Sequence, residues 1–225
     1  MLKTQKAGCD LTSHSEFQAV IFDCDGTLVD SEPLAIEALL AEAALLGHHM
    51  DFKDTFACFK GVKMATCVEM IEAKFHCALP EHFVDKVRQR VAISFAENLQ
   101  AISGARELLS ELIVPYCIAS NGPREKIQQS LSASGLLSVL KGPIFSAYDV
   151  GHWKPSPGLF LHAARAMGAE PRRCAVVEDS EPGIEAGLAA GMTVFALQLT
   201  PAELTTNPRH GVIYLKSLEA LLEHL

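Results

Sequence analysis

The part of the sequence that most limits the possible folds is residues 19–30, AVIFDCDGTLVD, where a short apolar run is followed by two acids and a glycine. Four apolar residues in succession predict a strand that is buried on both faces, as in the parallel sheets of α/β proteins. Ligands bind in such proteins beyond the carboxyl ends of the strands. The sequence therefore predicts an α/β fold in which Asp23 ends a buried strand and Asp25 lies in the loop after it.

Alternation along a strand would point Asp23 and Asp25 to one side and Cys24 to the other. Two nearby carboxylates repel each other, and a hard divalent cation such as Mg²⁺ is the usual positive partner, often shared with a phosphate. An ordinary turn would account for Asp25 and Gly26, since both residue types favour turns. It would not account for Asp23, because a carboxylate at the end of an apolar strand is costly without a partner.

A second apolar run, in residues 115–123 (PYCIASNGP), ends in Ser120 and Asn121 just before a predicted helix. Proline is common at the start of a helix, where the free N–H groups bind anions. A hydroxyl and backbone N–H groups there would suit a phosphoryl oxygen. Taken alone, the segment is better explained as a strand-to-helix turn.

Residues 151–157, GHWKPSP, hold Lys154 between an aromatic residue and prolines. Lysines are normally solvated surface charges, and we expect this of most lysines in the chain. Lys154 differs because proline fixes the backbone dihedral beside it and so limits where the lysine can point. Lys154 is therefore a candidate for a site residue.

A further apolar run, in residues 174–180 (CAVVEDS), ends in Glu178 and Asp179, and Ser180 can cap the helix that follows. Acids near a helix start can simply favour the positive end of the helix dipole. These two also follow the end of a predicted strand. If the sheet is parallel, they lie at the same edge as Asp23 and Asp25.

In this order, the four segments resemble the motifs of the haloacid dehalogenase superfamily, whose first motif is written DxDGT. The resemblance covers nearly the whole chain from about Phe17 onward, and it is greatest to members with a helical cap inserted after the first motif, the β-phosphoglucomutase-like group. It implies a Rossmann-like core with a parallel sheet, an inserted all-helical cap domain, and Mg²⁺-dependent phosphoryl transfer.

The resemblance also implies a role for each residue. Asp23 would attack phosphorus to form an aspartyl phosphate, and Asp25 would protonate the leaving oxygen and then take a proton from water. Lys154 would contact the nucleophile and the phosphoryl group, while Ser120 and Asn121 would bind the phosphate. The carboxylates of the metal site would be Asp23, Asp25, Glu178 and Asp179.

Between the first two motifs the strand signals fade, and apolar residues recur at helical spacing, for example Ile36, Leu39 and Ala43, then Phe83, Val87 and Val91. This insertion is the expected cap. The predicted organisation is a discontinuous α/β core at residues 17–31 and 99–225, a helical cap at 32–98 and a loose tail at 1–16. The two crossings between core and cap would act as hinges for closure over a substrate.

Within the cap, residues 59–63, FKGVK, resemble the segment that capped members place against the leaving group of the substrate. Lys60 and Lys63 would suit an acidic or heavily hydroxylated sugar. A plain basic boundary between helix and loop is a serious alternative, because the motif is short. The combination of motifs looks most like the bacterial phosphatases of 6-phosphogluconate, although Glu178 replaces the first Asp of their Asp-Asp-Ser run.

Other functions on the same fold remain open. The mutases of this group have His twelve positions after the nucleophile, where this chain has Ala35, and Thr27 matches the phosphatase form of the first motif. Hydrolysis is therefore preferred to mutase transfer. A sensor without catalytic activity would be expected to lack one of the motif acids or Lys154, and a dehalogenase would not need the second aspartate or the metal acids.

Composition limits the partners. A net charge of −8 without basic runs disfavours nucleic acid and anionic membranes. The 7 cysteines form an odd number without a C-x-x-C pair, which suggests reduced thiols and a cytoplasmic protein. No signal sequence or membrane-spanning segment is expected. We expect a monomer or weak homodimer whose partner is a small phosphate ester.

Overall fold

The computed structural model describes residues 16–60, 62–197 and 210–225. Within these ranges, the strands form a 6-stranded parallel sheet in the order β3-β2-β1-β4-β5-β6. The strands are β1 (Ala19–Phe22), β2 (Tyr116–Ser120), β3 (Ile144–Ser146), β4 (Cys174–Glu178), β5 (Thr193–Leu197) and β6 (Val212–Leu215). The tail predicted at 1–16 lies outside the described residues except for Glu16.

The helices of the described ranges fall into two groups. Those of the insertion are α1 (Glu32–Leu45), α2 (Phe52–Phe59), α3 (Met64–Phe75) and α4 (Phe83–Asn98). Those that flank the sheet are α5 (Ala105–Glu111), α6 (Arg124–Ala133), α7 (Ala147–Val150), α8 (Gly158–Ala166) and α9 (Glu181–Ala189). Short 3₁₀ helices occur at Leu136–Ser138, Pro171–Arg173 and Glu219–His224.

The central strand β1 is covered on both faces, which explains its unbroken apolar sequence. Val20 and Phe22 belong to a hydrophobic cluster on one face of the sheet. Ala19 and Ile21 belong to a second cluster on the other face. Cys24 is buried in the same cluster as Phe22, as the strand alternation predicts. The predicted fold class, a parallel α/β core with an inserted helical cap, is confirmed.

The insertion has a hydrophobic cluster of its own, which includes Ile36, Leu39, Ile71 and Phe83. The segment in which the chain leaves the sheet lies beside the segment in which it returns. Val29 forms an antiparallel bridge with Ala101, and the N–H of Ile102 donates to the carbonyl of Leu28 at 2.9 Å. The predicted domain boundaries and hinges stay a prediction.

No helix in the described ranges is long and apolar enough to cross a membrane. The described cysteines are free thiols, and those in the sheet and its neighbouring loop, Cys24, Cys117 and Cys174, are buried. Burial raises the pKa of Cys117 to about 12, so this thiol packs as an apolar group.

Candidate active site

The candidate site is built at the carboxyl ends of β1 and β4, which are adjacent and parallel. Phe22 pairs with Val177 in the sheet register. The residues that follow this pair, Asp23 and Glu178, therefore lie side by side at the carboxyl edge of the sheet. The N–H of Asp23 continues the ladder by donating to the carbonyl of Val177 at 2.9 Å. The parallel register therefore brings together acids that are far apart in the sequence.

Lys154 joins these two acids. Its Nζ donates to Asp23 Oδ1 at 2.5 Å and to Glu178 Oε1 at 2.6 Å, and only 3% of its side chain is exposed. The centroid of the Phe160 ring lies 4.9 Å from Lys154 Nζ. Burial alone would lower the pKa of Lys154, but Asp23 and Glu178 together raise it above its usual value. Lys154 is therefore held as a cation against the predicted nucleophile.

Glu178 is fixed from its other side by the start of α9. Its Oε2 accepts hydrogen bonds from the N–H of Asp179 at 3.0 Å and from the N–H and Oγ of Ser180 at 2.9 and 2.8 Å. Ser180 also caps α9, as predicted, by accepting from the N–H of Gly183 at 3.3 Å. A carboxylate with partners on both oxygens cannot turn freely, so Glu178 has one defined orientation.

Two glycines, Gly183 and Gly26, lack the side chains that would otherwise clash with Glu178 and Asp179. A Cβ at Gly183 would lie 1.8 Å from the carboxyl carbon of Glu178. A Cβ at Gly26, which has a φ of +83°, would lie 2.0 Å from Asp179 Oδ2. The other oxygen of Asp179 accepts from Thr27 Oγ1 at 3.0 Å. The sequence analysis missed the role of Gly183, because a glycine in the first turn of a helix shows nothing of what lies beside it.

Asp23, Glu178 and Asp179 each offer a carboxylate oxygen, and these atoms lie within 4.8 Å of one another. Burial raises the pKa of Asp23 to about 7, with Lys154 opposing the shift and Glu178 adding to it. Burial, Glu178 and Asp23 likewise raise the pKa of Asp179 well above its usual value. Among the described residues, Lys154 is the cation in contact with this group, so a divalent cation fits the remaining negative charge.

The carboxylate of Asp25, the fourth predicted metal ligand, lies outside this group. Its Oδ2 accepts from Lys126 Nζ at 2.9 Å, and its Oδ1 is buried without a hydrogen-bond partner among the described residues. Burial alone would lower the pKa of Lys126, but Asp25 raises it. The Asp25 side chain thus lies against Lys126, and its roles in metal binding and proton transfer stay predictions. The sequence analysis did not single out Lys126, because it expected most lysines of the chain to be surface charges.

Ser120 is the last residue of β2, the strand on the other side of β1, and Asn121 follows it. Ser120 is buried, and its Oγ accepts from the N–H of Gly122 at 3.1 Å. The side chain of Asn121 binds the backbone of Lys154: its Oδ1 accepts from the N–H at 2.9 Å and its Nδ2 donates to the carbonyl at 3.4 Å. Phosphate binding by both residues stays a prediction, and the bonds of Asn121 point to a role in holding Lys154.

The cap lysines lie at the ends of two helices. Lys60 follows α2 and forms an ion pair with Glu32 at 3.8 Å, with 29% of its side chain exposed. Glu32 is near enough to the acid group to raise the pKa of Asp179, although it is a minor cause there. Lys63 directly precedes α3 and is exposed. Gly61, between them, lies outside the described residues, and substrate binding by Lys60 and Lys63 stays a prediction.

Comparison with known proteins identifies the family. Residues 17–191 match the family described as haloacid dehalogenase-like hydrolases. The chain belongs to this family. The matched residues include β1, the insertion, Lys154 and the acids at the carboxyl end of β4.

Individual members of the family are also similar. A 6-phosphogluconate phosphatase of Escherichia coli K12 is 40% identical over 182 residues, which cover 80% of this chain and 82% of that protein. A haloacid dehalogenase family hydrolase of Deinococcus radiodurans R1, solved with bound phosphate and sodium, is 32% identical with a TM-score of 0.78, covering 93% of this chain and 94% of that one.

A candidate β-phosphoglucomutase of Thermotoga maritima has a TM-score of 0.74 at 25% identity, covering 93% of this chain and 100% of that one. This haloacid dehalogenase-like hydrolase is therefore structurally similar to the capped group that the motifs indicate. As a member of the family with a named phosphatase among its relatives, it is a hydrolase of phosphoric monoesters.

Proposed function

We propose that this hydrolase is a Mg²⁺-dependent phosphatase of small phosphorylated sugars or sugar acids, with 6-phosphogluconate as the first candidate substrate. The observation that carries the proposal is the buried Lys154, which bridges Asp23 and Glu178 beside Asp179. Buried charges need such partners, and this set has the composition that phosphoryl transfer requires. The substrate class is supported by the relative that acts on 6-phosphogluconate.

In the first step, a carboxylate oxygen of Asp23 attacks phosphorus, and the bond from phosphorus to the sugar oxygen breaks. The product is an aspartyl phosphate. The transition state is loose, with charge spread over the phosphoryl oxygens, so positioning and positive charge matter most. Lys154 supplies positive charge at this point, and Asn121 fixes the backbone that carries Lys154. We expect Ser120 and nearby N–H groups to bind the phosphoryl oxygens.

Asp25 acts as the general acid in the first step and as the general base in the second. It gives a proton to the leaving sugar oxygen, and the resulting carboxylate then takes a proton from the water that attacks the aspartyl phosphate. The second attack breaks the bond between phosphorus and the Asp23 oxygen, which releases inorganic phosphate.

Asp23, Glu178 and Asp179 would hold the magnesium ion, since their carboxylates already lie together. When bound, Mg²⁺ supplies positive charge to the phosphoryl oxygens. Lys60 and Lys63 would contact the sugar, and a carboxylate on the sugar would compete with Glu32 for Lys60. The free thiols of the described cysteines suit a reducing compartment, so we expect the enzyme to act in the cytoplasm.

The test is phosphate release from 6-phosphogluconate, glucose phosphates and phosphoglycolate, with Mg²⁺ and with a chelator, for the wild type and Asp23→Asn. We expect release by the wild type only with Mg²⁺, and a loss of at least about 1,000-fold in Asp23→Asn because the nucleophile is gone at nearly constant shape. Asp85→Asn, which changes an exposed cap aspartate, is the matched control and should behave as the wild type.

Equal turnover by folded Asp23→Asn would overturn the mechanism. Phosphate release that is unaffected by the chelator would overturn the metal requirement. If the wild type converted glucose phosphates into one another without releasing phosphate, the protein would be a mutase instead.

A further inference from the structure

The side chain of Lys126 touches Asp25, although nothing in the motifs assigns it a role. We propose that Lys126 is a positioning residue for proton transfer: it binds one oxygen of Asp25 and so fixes the orientation of the carboxylate that exchanges protons with the leaving oxygen and with water. This inference rests on the proposed function, because it gives Asp25 the role of acid and base.

The two oxygens of Asp25 have different surroundings. Oδ2 accepts from Lys126 Nζ at 2.9 Å. Oδ1 is buried and has no hydrogen-bond partner among residues 16–60, 62–197 and 210–225. A buried carboxylate oxygen without a partner is costly unless something else uses it. Among the described residues, the hydrogen bond that orients this carboxylate is therefore the one from Lys126.

The backbone around Asp25 is already held in place. The N–H groups of Leu28 and Val29 both donate to the carbonyl of Cys24, at 2.9 and 3.1 Å, and the N–H of Gly26 donates to Val29 at 2.9 Å. What remains free is the rotation of the Asp25 side chain. The contact with Lys126 removes that freedom, and a displacement of about 1 Å at a catalytic group can cost about 100-fold in rate.

The position of Lys126 in its helix supports a role outside the helix. It is the third residue of α6 (Arg124–Ala133), close to the positive end of the helix dipole, where a cation is unfavourable. Its ion pair is partly exposed, with 43% of the lysine side chain and 29% of the aspartate side chain accessible, so it adds little to stability. Neither helix formation nor folding explains a lysine here.

A neighbouring ring holds the lysine in position. The ring of Phe95, in the last turn of α4, lies 5.9 Å from Lys126 Nζ, and Phe95 is buried. The ammonium thus lies between an aromatic face and Asp25, and this contact limits the conformations of its flexible stem. Lys126 can fix the carboxylate because it is itself held by a second contact.

The test compares Lys126→Met with the wild type on two substrates. A sugar phosphate needs a proton on its leaving oxygen, whereas p-nitrophenyl phosphate has a leaving group that does not. We expect kcat for the sugar phosphate to fall by about 10- to 100-fold with KM within about threefold. With p-nitrophenyl phosphate, rapid mixing should show a burst of nitrophenol at nearly the wild-type rate, followed by slow turnover because the water step still needs Asp25.

Two further variants sharpen the result. Lys126→Arg keeps a donor and should recover most of the lost rate. Arg124→Met, in the same helical turn, removes a cation that pairs with the exposed Asp149 and should leave both substrates unchanged. Melting temperatures of all variants should agree with that of the wild type, since the ion pair is partly exposed.

A burst rate that falls as far as the sugar phosphate rate would overturn the inference, because Lys126 would then act on phosphoryl transfer itself. An unchanged kcat for the sugar phosphate in folded Lys126→Met would overturn it as well. In both cases an active wild type leaves the proposed function standing. A wild type that releases no phosphate from any substrate would overturn both.

Discussion

The strand-end acids and the cap lysines are both charged groups that we assign to the site, yet the protein holds them very differently. Glu178 and Lys154 expose 1% and 3% of their side chains, and each has more than one partner. Lys60 exposes 29% of its side chain and has an ion pair at 3.8 Å, and Lys63 is exposed. One region fixes its charges inside the fold, and the other displays them at the surface.

The difference follows from the cost of burial. A buried charge is tolerated only with close partners, and removing one partner leaves the other uncompensated. An exposed lysine has little effect on folding, so it can be exchanged freely. The proposed function would therefore tie the reaction to the sheet, whereas the choice of substrate would depend on residues that can change without loss of the fold.

Of the changes that test this difference between the two regions, Gly183→Ala has the largest expected effect, although it removes no charge. The new methyl group would lie 1.8 Å from the carboxyl carbon of Glu178, so we expect the carboxylate to leave its position beside Lys154. We expect kcat to fall by at least about 100-fold, as for other displaced catalytic groups. Steady-state phosphate release and Mg²⁺ titration measure it.

The control for this change is Glu185→Ala, an exposed position of the same helix, which should keep full activity. If Gly183→Ala folded and kept the wild-type kcat, the orientation of Glu178 would not be fixed in the way described above.

A smaller effect is expected from pH. Because the pKa of Asp23 is raised to about 7, the folded protein holds this proton more tightly than the unfolded chain. Without metal, that contribution to stability is present at low pH and is lost as the pH rises from about 4 through 7. Mg²⁺ competes with the proton, so its stabilisation should be at least about twice as large at pH 8 as at pH 5.5.

Melting curves with Mg²⁺ and with chelator at the two pH values measure this difference. Asp23→Asn cannot ionise and should show a weaker pH dependence. A magnesium effect that is equal at both pH values would mean that the acid group is charged throughout.

The smallest effect is expected in the exposed region. Lys60→Ala and Lys63→Ala should each raise KM for a sugar acid phosphate by about 3- to 10-fold with kcat within about twofold, because they remove uniform binding to the sugar. The change should be smaller for a neutral sugar phosphate. Kinetics with both substrates measure it, and Lys53→Ala, an exposed lysine of α2, is the control. If Lys60→Ala, Lys63→Ala and the control had the same kinetics, the two cap lysines would have no role in substrate recognition.

The sequence predicts the fixed region well because strand ends carry a strong local signal. An apolar run that stops at an acid, as before Asp23 and Glu178, shows both the strand and the edge where the acid lies. Parallel pairing then brings the acids together without further information. Lys154 was predicted from its prolines and the family motif, and its burial confirms that it is not an ordinary surface lysine.

What the sequence did not predict depends on contacts between distant segments. Lys126 resembles other helix lysines until α6 is placed beside the turn after β1. Asn121 holds Lys154 only because the loop before α8 packs against the end of β2. The space at Gly183 has meaning only once the side chain of Glu178 is in place. In each case the role of the residue depends on a neighbour that is distant in the sequence and close only in the folded structure.

The bridge between Val29 and Ala101 has a consequence for how such an enzyme can evolve. Residues in an antiparallel bridge are separated by about 5 Å, so the whole segment between them enters and leaves the sheet domain through a single point of attachment. A short turn could close that point, and a different set of helices could be spliced into it, without altering the strand order. Recombination could thus exchange the insertion while the sheet and the acids at its edge stay unchanged.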